Sequence, residues 1–99
     1  MKFIVGPFRF KPGLRDESLR TLQPFVDEVR REPGCIFFEF NPKIDDPDVA
    51  FLCECFTDDA SHAQHKTLPH MVALFAELGR TLESADTKVH YADKLFDDV

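Results

Sequence analysis

Two neighbouring segments of this chain are apolar on both faces of what must be a β-strand, and this restricts the available folds more than any other feature. In Cys35–Phe40, one set of alternate positions holds Cys35 and Phe37 and the other holds Ile36, Phe38 and Phe40. Val49–Phe56 repeats the pattern, with Phe51, Cys53 and Cys55 on one face and Leu52 and Phe56 on the other. Side chains alternate across a strand, so neither segment has a face to give to water. The stretch between them, residues 41–48, is dense in Pro, Asp and Asn, and the two segments read as a hairpin with a longish loop.

The remaining elements follow from periodicity and punctuation. Phe3–Phe10 reads as a strand in which Pro7, lacking a donor, marks an edge position or a bulge. After the Lys11-Pro12-Gly13 turn, Leu19, Leu22, Val26 and Val29 recur at spacings of three and four. They predict an amphipathic helix over roughly Asp16–Arg31, in which Pro24 bends the helix or marks a slipped start, closed by Glu32-Pro33-Gly34. Asp58 and Asp59 open a second helical region that Pro69 divides. Its later part carries Val72, Phe75, Leu78 and Leu82, backed by Met71 and Leu74, as a stripe ending near Leu82, and Lys88–Phe96 reads as the last strand before a polar tail, Asp97-Asp98-Val99. The order is βαββαβ, an α+β, ferredoxin-like arrangement with a four-stranded antiparallel sheet, expected as a single domain over residues 1–99. Two helices cover one side of such a sheet. A second copy of the chain is the simplest cover for the other, which predicts a homodimer closed face to face.

Charge and composition remove several function classes. A net charge of −6, without clustered Lys or Arg, argues against a nucleic-acid surface. No run approaches the roughly 18 apolar residues of a membrane helix, and the first residues lack the apolar stretch of a signal peptide, so a cytoplasmic location with no membrane partner is expected. Three cysteines make no disulfide framework, and Cys53 and Cys55, two apart on a strand, read as inert buried thiols. Cys35 is better placed to react but has no evident activating base. Eleven Phe with one Tyr and no Trp predict an interior or pocket of plain aromatic rings, with Phe37, Phe51, Phe56 and Phe75 as candidate pocket residues.

The run Glu28-Val29-Arg30-Arg31-Glu32-Pro33-Gly34-Cys35-Ile36, followed by Phe51-Leu52-Cys53-Glu54-Cys55-Phe56, Ala60, His65 and Pro69-His70, resembles the antibiotic biosynthesis monooxygenase family. The resemblance extends from Phe3 to about Tyr91. It implies a dimeric α+β barrel and, as in characterised members, oxidation of phenolic or quinol-type substrates by O2 without a metal or prosthetic group. Members that oxidise anthrones or degrade haem use a pocket tryptophan. This chain has none and carries Phe56 where many relatives have an aromatic, so neither substrate is expected. The resemblance also places His65 at the pocket mouth, where a group titrating near neutrality can deprotonate a phenol or enol. The bland alternative is a histidine that holds helix to strand by one hydrogen bond.

His70 matches the family's second histidine but points away from the Phe75/Leu78/Leu82 stripe, which favours a structural or dimer-contact role over catalysis. His62 and His65, three apart on a helix, could bring two imidazoles to one metal, but no third ligand has a motif spacing, so no metal is expected. Glu54 shares a strand face with Leu52 and Phe56, where an unpaired carboxylate is costly, and so needs a partner. That partner is either a histidine it orients or a substrate hydroxyl it polarises, or else an ion pair or hydrogen bond that fixes the fold or dimer. The leading expectation is a cofactor-independent monooxygenase acting on a small aromatic quinol or phenol and O2, with His65 as base and Glu54 as its orienter. An isomerase or tautomerase using the same base, and a non-catalytic small-ligand or stress-response barrel, are the alternatives.

Overall fold

The computed structural model describes residues 1–93. In chain order its elements are β1 (Lys2–Phe10), α1 (Arg15–Val29), β2 (Cys35–Pro42), β3 (Val49–Phe56), α2 (Asp59–His65), α3 (Pro69–Thr81), β4 (Leu82–Ala85) and β5 (Lys88–Tyr91). All strands belong to one antiparallel sheet ordered β2-β3-β1-β4, with β5 pairing β1 alongside β4. This is the ferredoxin-like α+β topology that the pattern predicts, with one correction at the fourth strand. In place of a continuous Lys88–Phe96 strand, two short segments share the edge of β1: Ala85 faces Phe8, and Lys88 faces Val5. Residues 94–96 of the expected strand and the expected tail lie outside the described residues.

Pro7 explains where the fourth strand breaks. β1 is a central strand, contrary to the edge reading, and Pro7 has no N–H to donate on the side facing β4 and β5. The partner is interrupted there, at Asp86-Thr87, and the Asp86 N–H donates to the Pro7 carbonyl at 3.0 Å. Gly6 allows this crossing. A Cβ at residue 6 would overlap the Asp86 carbonyl and stand 2.6 Å from the Thr87 Cα.

The helices cover the face presented by Ile4, Phe8, Phe10, Phe38, Leu52 and Phe56, where α1 contributes Leu22, Val26 and Val29 and α3 contributes Met71, Leu74 and Leu78. Pro69 sits at the first turn of α3, where a missing N–H costs nothing, and this separates α2 as its own short helix. Asp58 caps α2 by accepting from the Ser61 N–H at 2.7 Å. The opposite sheet face carries Phe3, Val5, Phe37 and Phe51, and no helix of the described residues covers it. Phe3 and Phe37 pack on each other there with ring centres 6.1 Å apart, while Val5 and Phe51 are each 37% exposed.

Candidate active site

The turn after α1 and the start of α2 are pressed together by Gly34. It adopts φ +86°, and a Cβ there would overlap the Ser61 hydroxyl. Its carbonyl accepts from the Thr57 N–H at 2.8 Å. This close approach brings Glu32 under α2. Both Glu32 oxygens lie 3.0 Å from His65 Nδ1, and Oε2 lies 2.7 Å from His70 Nε2. A carboxylate only accepts, so His65 carries its proton on Nδ1 and His70 donates from Nε2. The His65 side chain is 2% exposed and packs between Phe38 and Phe56, with ring centres at 5.8 and 4.8 Å.

His62, one turn before His65, faces the same sheet surface, and its Nε2 stands 3.2 Å from Oε1 of Glu54 on β3. Glu54 is buried, and no hydrogen bond from the described residues reaches its carboxyl group. Burial pushes the Glu54 carboxyl up to about 7, with the Glu32 charge adding to the effect and Lys66 and Lys2 opposing it. Burial likewise pushes His62 down to about 4, and Lys66, Lys2 and His65 act in the same direction. The two groups therefore meet as neutral acid and neutral imidazole in mildly acidic solution. Burial also lowers His65, against the upward pull of its hydrogen bond to Glu32.

Glu54, His62, His65 and Lys66 form the polar end of a cavity of about 240 Å³. Its walls are apolar, with Ile4, Phe8, Phe38, Phe40, Leu52 and Leu74 among them, and Phe75 stands at its rim, 50% exposed. Among the described residues no occluded side-chain nitrogen or oxygen lacks a hydrogen-bond partner. His65 Nε2 bonds to nothing, so it reaches open space, and the cavity is the space that His65 lines.

The structure thus redistributes the candidate residues. His65 and Glu54 share one cavity but not one bond: Glu32 holds His65, and Glu54 faces His62. His70 is tied to the same Glu32. Of the four phenylalanines, Phe75 lines the cavity, whereas Phe56 lies fully buried beneath both imidazoles. Phe37 and Phe51 are corrected to the opposite sheet face, because they pair in register with Cys55 and Asn41, one residue out of step with Glu54. Phe8, Phe38 and Phe40 are the cavity rings in their place. The imidazoles of His62 and His65 stack at 5.9 Å and 19°, and among the described residues no group of three or more His, Cys, Asp or Glu is placed to hold a metal ion. Glu32 is hidden in a turn signal, while the position of His62 one helical turn before His65 is the available clue to its role.

Residues 1–77 match the family model for antibiotic biosynthesis monooxygenase. Among solved structures, a protein from Nitrosomonas europaea, named as a candidate antibiotic biosynthesis monooxygenase, is 18% identical with a TM-score of 0.86, over 93% of this chain and 98% of that one. Proteins from Shewanella oneidensis (26% identical, TM-score 0.80, covering 90% and 87%) and Pseudomonas aeruginosa (19%, 0.83, 94% of each) are similar in the same way. No curated protein matches the chain in sequence. With three quarters of its length under that family model and its fold shared throughout, the chain belongs to the antibiotic biosynthesis monooxygenase family.

Proposed function

We propose that the protein is a cofactor-independent monooxygenase that oxidises a small phenol or quinol with O2, in the cytoplasm and as a homodimer. One observation carries the reading. His65 is locked by Glu32 through Nδ1, and its free Nε2 opens onto a cavity that is polar at one end and lined by phenyl rings at the other. A planar aromatic body fits the apolar end and presents its hydroxyl to Nε2. His65 takes the hydroxyl proton, and the carboxylate behind it steadies the imidazolium that forms. The phenolate is then rich enough in electrons to reduce O2, and recombination makes a carbon–oxygen bond bearing a peroxide anion, which recovers the proton from His65. Loss of the ring C–H proton with cleavage of the O–O bond completes the conversion. One oxygen atom stays as a carbonyl and the other leaves as water, so that phenol plus O2 becomes quinone plus water.

The outer sheet face supports the dimer. Phe3, Val5, Phe37 and Phe51 have no helix over them among the described residues, and a second copy of the same face would bury them. Two separate proton-bearing groups at one end of the cavity also favour a second reading, an isomerase that relocates a proton without O2. The test is oxygen uptake by the purified protein over a panel of quinols and phenols, beside His65→Ala. Uptake above the enzyme-free rate that is lost in the variant supports the monooxygenase. Conversion without uptake supports the isomerase and overturns the first reading.

A further inference from the structure

The steps assigned to His65 leave Glu54 and His62 without a task, although both belong to the same cavity. Glu54 comes from β3 and His62 from α2, their side chains are 7% and 8% exposed, and Oε1 and Nε2 are 3.2 Å apart. The two sets of contacts are distinct among the described residues, since His65 and His70 share Glu32 while His62 stands against Glu54. The charged and titratable groups that act on this pair are Lys66 just past the end of α2, Asp59 at its start, Lys2 from β1, Glu32 from the turn after α1, and His65. A buried carboxyl whose ion-pair partner among the described residues is an imidazole 3.2 Å away is an expensive way to fill space between a strand and a helix.

We infer that Glu54 and His62 together drive the cleavage of the O–O bond, Glu54 as acid to the departing oxygen and His62 as base to the ring C–H. This rests on the monooxygenase reading above. His65 cannot supply both proton transfers of the cleavage step, because Glu32 occupies one of its nitrogens and the single nitrogen left cannot take the C–H proton and protonate the departing oxygen at once. When the hydroperoxide stands on the ring carbon, His62 Nε2 takes the C–H proton and the C–H electron pair becomes the new C=O bond. The O–O bond breaks heterolytically, and the hydroxide leaves with the Glu54 proton as water. Imidazolium and carboxylate then stand 3.2 Å apart, and transfer of one proton from His62 to Glu54 restores the neutral pair. Burial, which favours the protonated carboxyl and the neutral imidazole, sets the resting state that this step needs.

The experiment uses the intact protein with 1,4-naphthohydroquinone and O2, and reads 2-hydroxy-1,4-naphthoquinone and hydrogen peroxide formed per O2 consumed above the enzyme-free rate. Cleavage gives the hydroxyquinone and water. Without it, the peroxide leaves whole and the same substrate yields 1,4-naphthoquinone and hydrogen peroxide. In Glu54→Gln, whose shape is unchanged, O2 uptake persists but hydroxyquinone per O2 falls at least about ten-fold, within the range general acids supply, with peroxide rising to match. His62→Gln shifts the ratio the same way and guards against a folding defect in the first variant, while His65→Ala abolishes uptake itself. If folded Glu54→Gln keeps the wild-type ratio, the inference is wrong and the monooxygenase reading stands. If the wild-type protein makes no hydroxyquinone while consuming no O2, both are wrong.

Discussion

Glu32→Ala removes the acceptor shared by His65 and His70, and its cost follows from the hydrogen bonds that this carboxylate makes to the two rings. A hydrogen bond to a charged group contributes about 1.5–3 kcal/mol net, and a donor left unsatisfied in the interior forfeits that full amount. His65, 2% exposed, has no water to turn to, whereas His70, 18% exposed at its side chain, can recover part of its loss from solvent. The sum is about 3–4 kcal/mol. For a domain of this size, each kcal/mol moves the melting temperature by about 4–8 °C, so a fall of about 15–25 °C is expected by thermal melting followed by circular dichroism. Glu32→Gln keeps one acceptor oxygen and should lose about half as much. On the proposed role of His65 as base, both variants should also lower turnover by about a hundred-fold or more, because they release its proton from Nδ1 and allow it to move to Nε2. Glu83→Ala is the control, since Glu83 is exposed and should change stability by no more than about 0.5 kcal/mol. If Glu32→Ala melts within about 3 °C of wild type, the shared acceptor does not hold the site together.

Folding raises the Glu54 pKa from 4.5 to about 7, so its carboxyl stabilises the fold while protonated and that contribution is lost as pH rises from 4.5 through 7. Glu54→Gln should therefore gain on wild type by about 2–3 kcal/mol across that window in urea titrations, and a pH-independent difference would refute the burial argument. His62 acts in the opposite sense, because its pKa is lowered from 6.5 to about 4, and the stability it contributes above pH 6.5 is lost as pH falls through that range. Removing it with His62→Phe should flatten the acid side of the profile in the same titrations. Gly6→Ala forces a Cβ into the Asp86-Thr87 crossing and should cost at least about 2 kcal/mol in urea melts, whereas an unchanged midpoint would mean that β4 and β5 are not held against β1 there. Phe51→Lys, which puts a charge on the uncovered sheet face, should yield monomers in sedimentation velocity at micromolar concentration; an unchanged dimer would place the interface elsewhere.

Much of the architecture is readable from local chemistry. The spacing of Leu22, Val26 and Val29 marks a helix, Pro69 divides the second helical region, and alternation in Val49–Phe56 puts Glu54 on a face where it needs a partner. These features depend on residues within a few positions of one another. Alternation alone also separates Phe51 from Glu54, but with both faces apolar it does not say which face the helices cover, and the expectation for Phe37 and Phe51 falls on the wrong side. The split of the last strand is equally hidden, because Leu82–Ala85 has no apolar pattern of its own and becomes a strand only by pairing with β1 beyond the Pro7 gap. Above all, the partners of the buried acids are decided in three dimensions. Glu32 lies 33 residues from His65 and 38 from His70, in a turn whose sequence reads as punctuation, and only the close approach of Gly34 to Ser61 brings that carboxylate beneath the two rings. Which histidine meets which acid depends on the angle at which α2 crosses β3, and that angle comes from the packing of the whole helical layer rather than from any local run of residues.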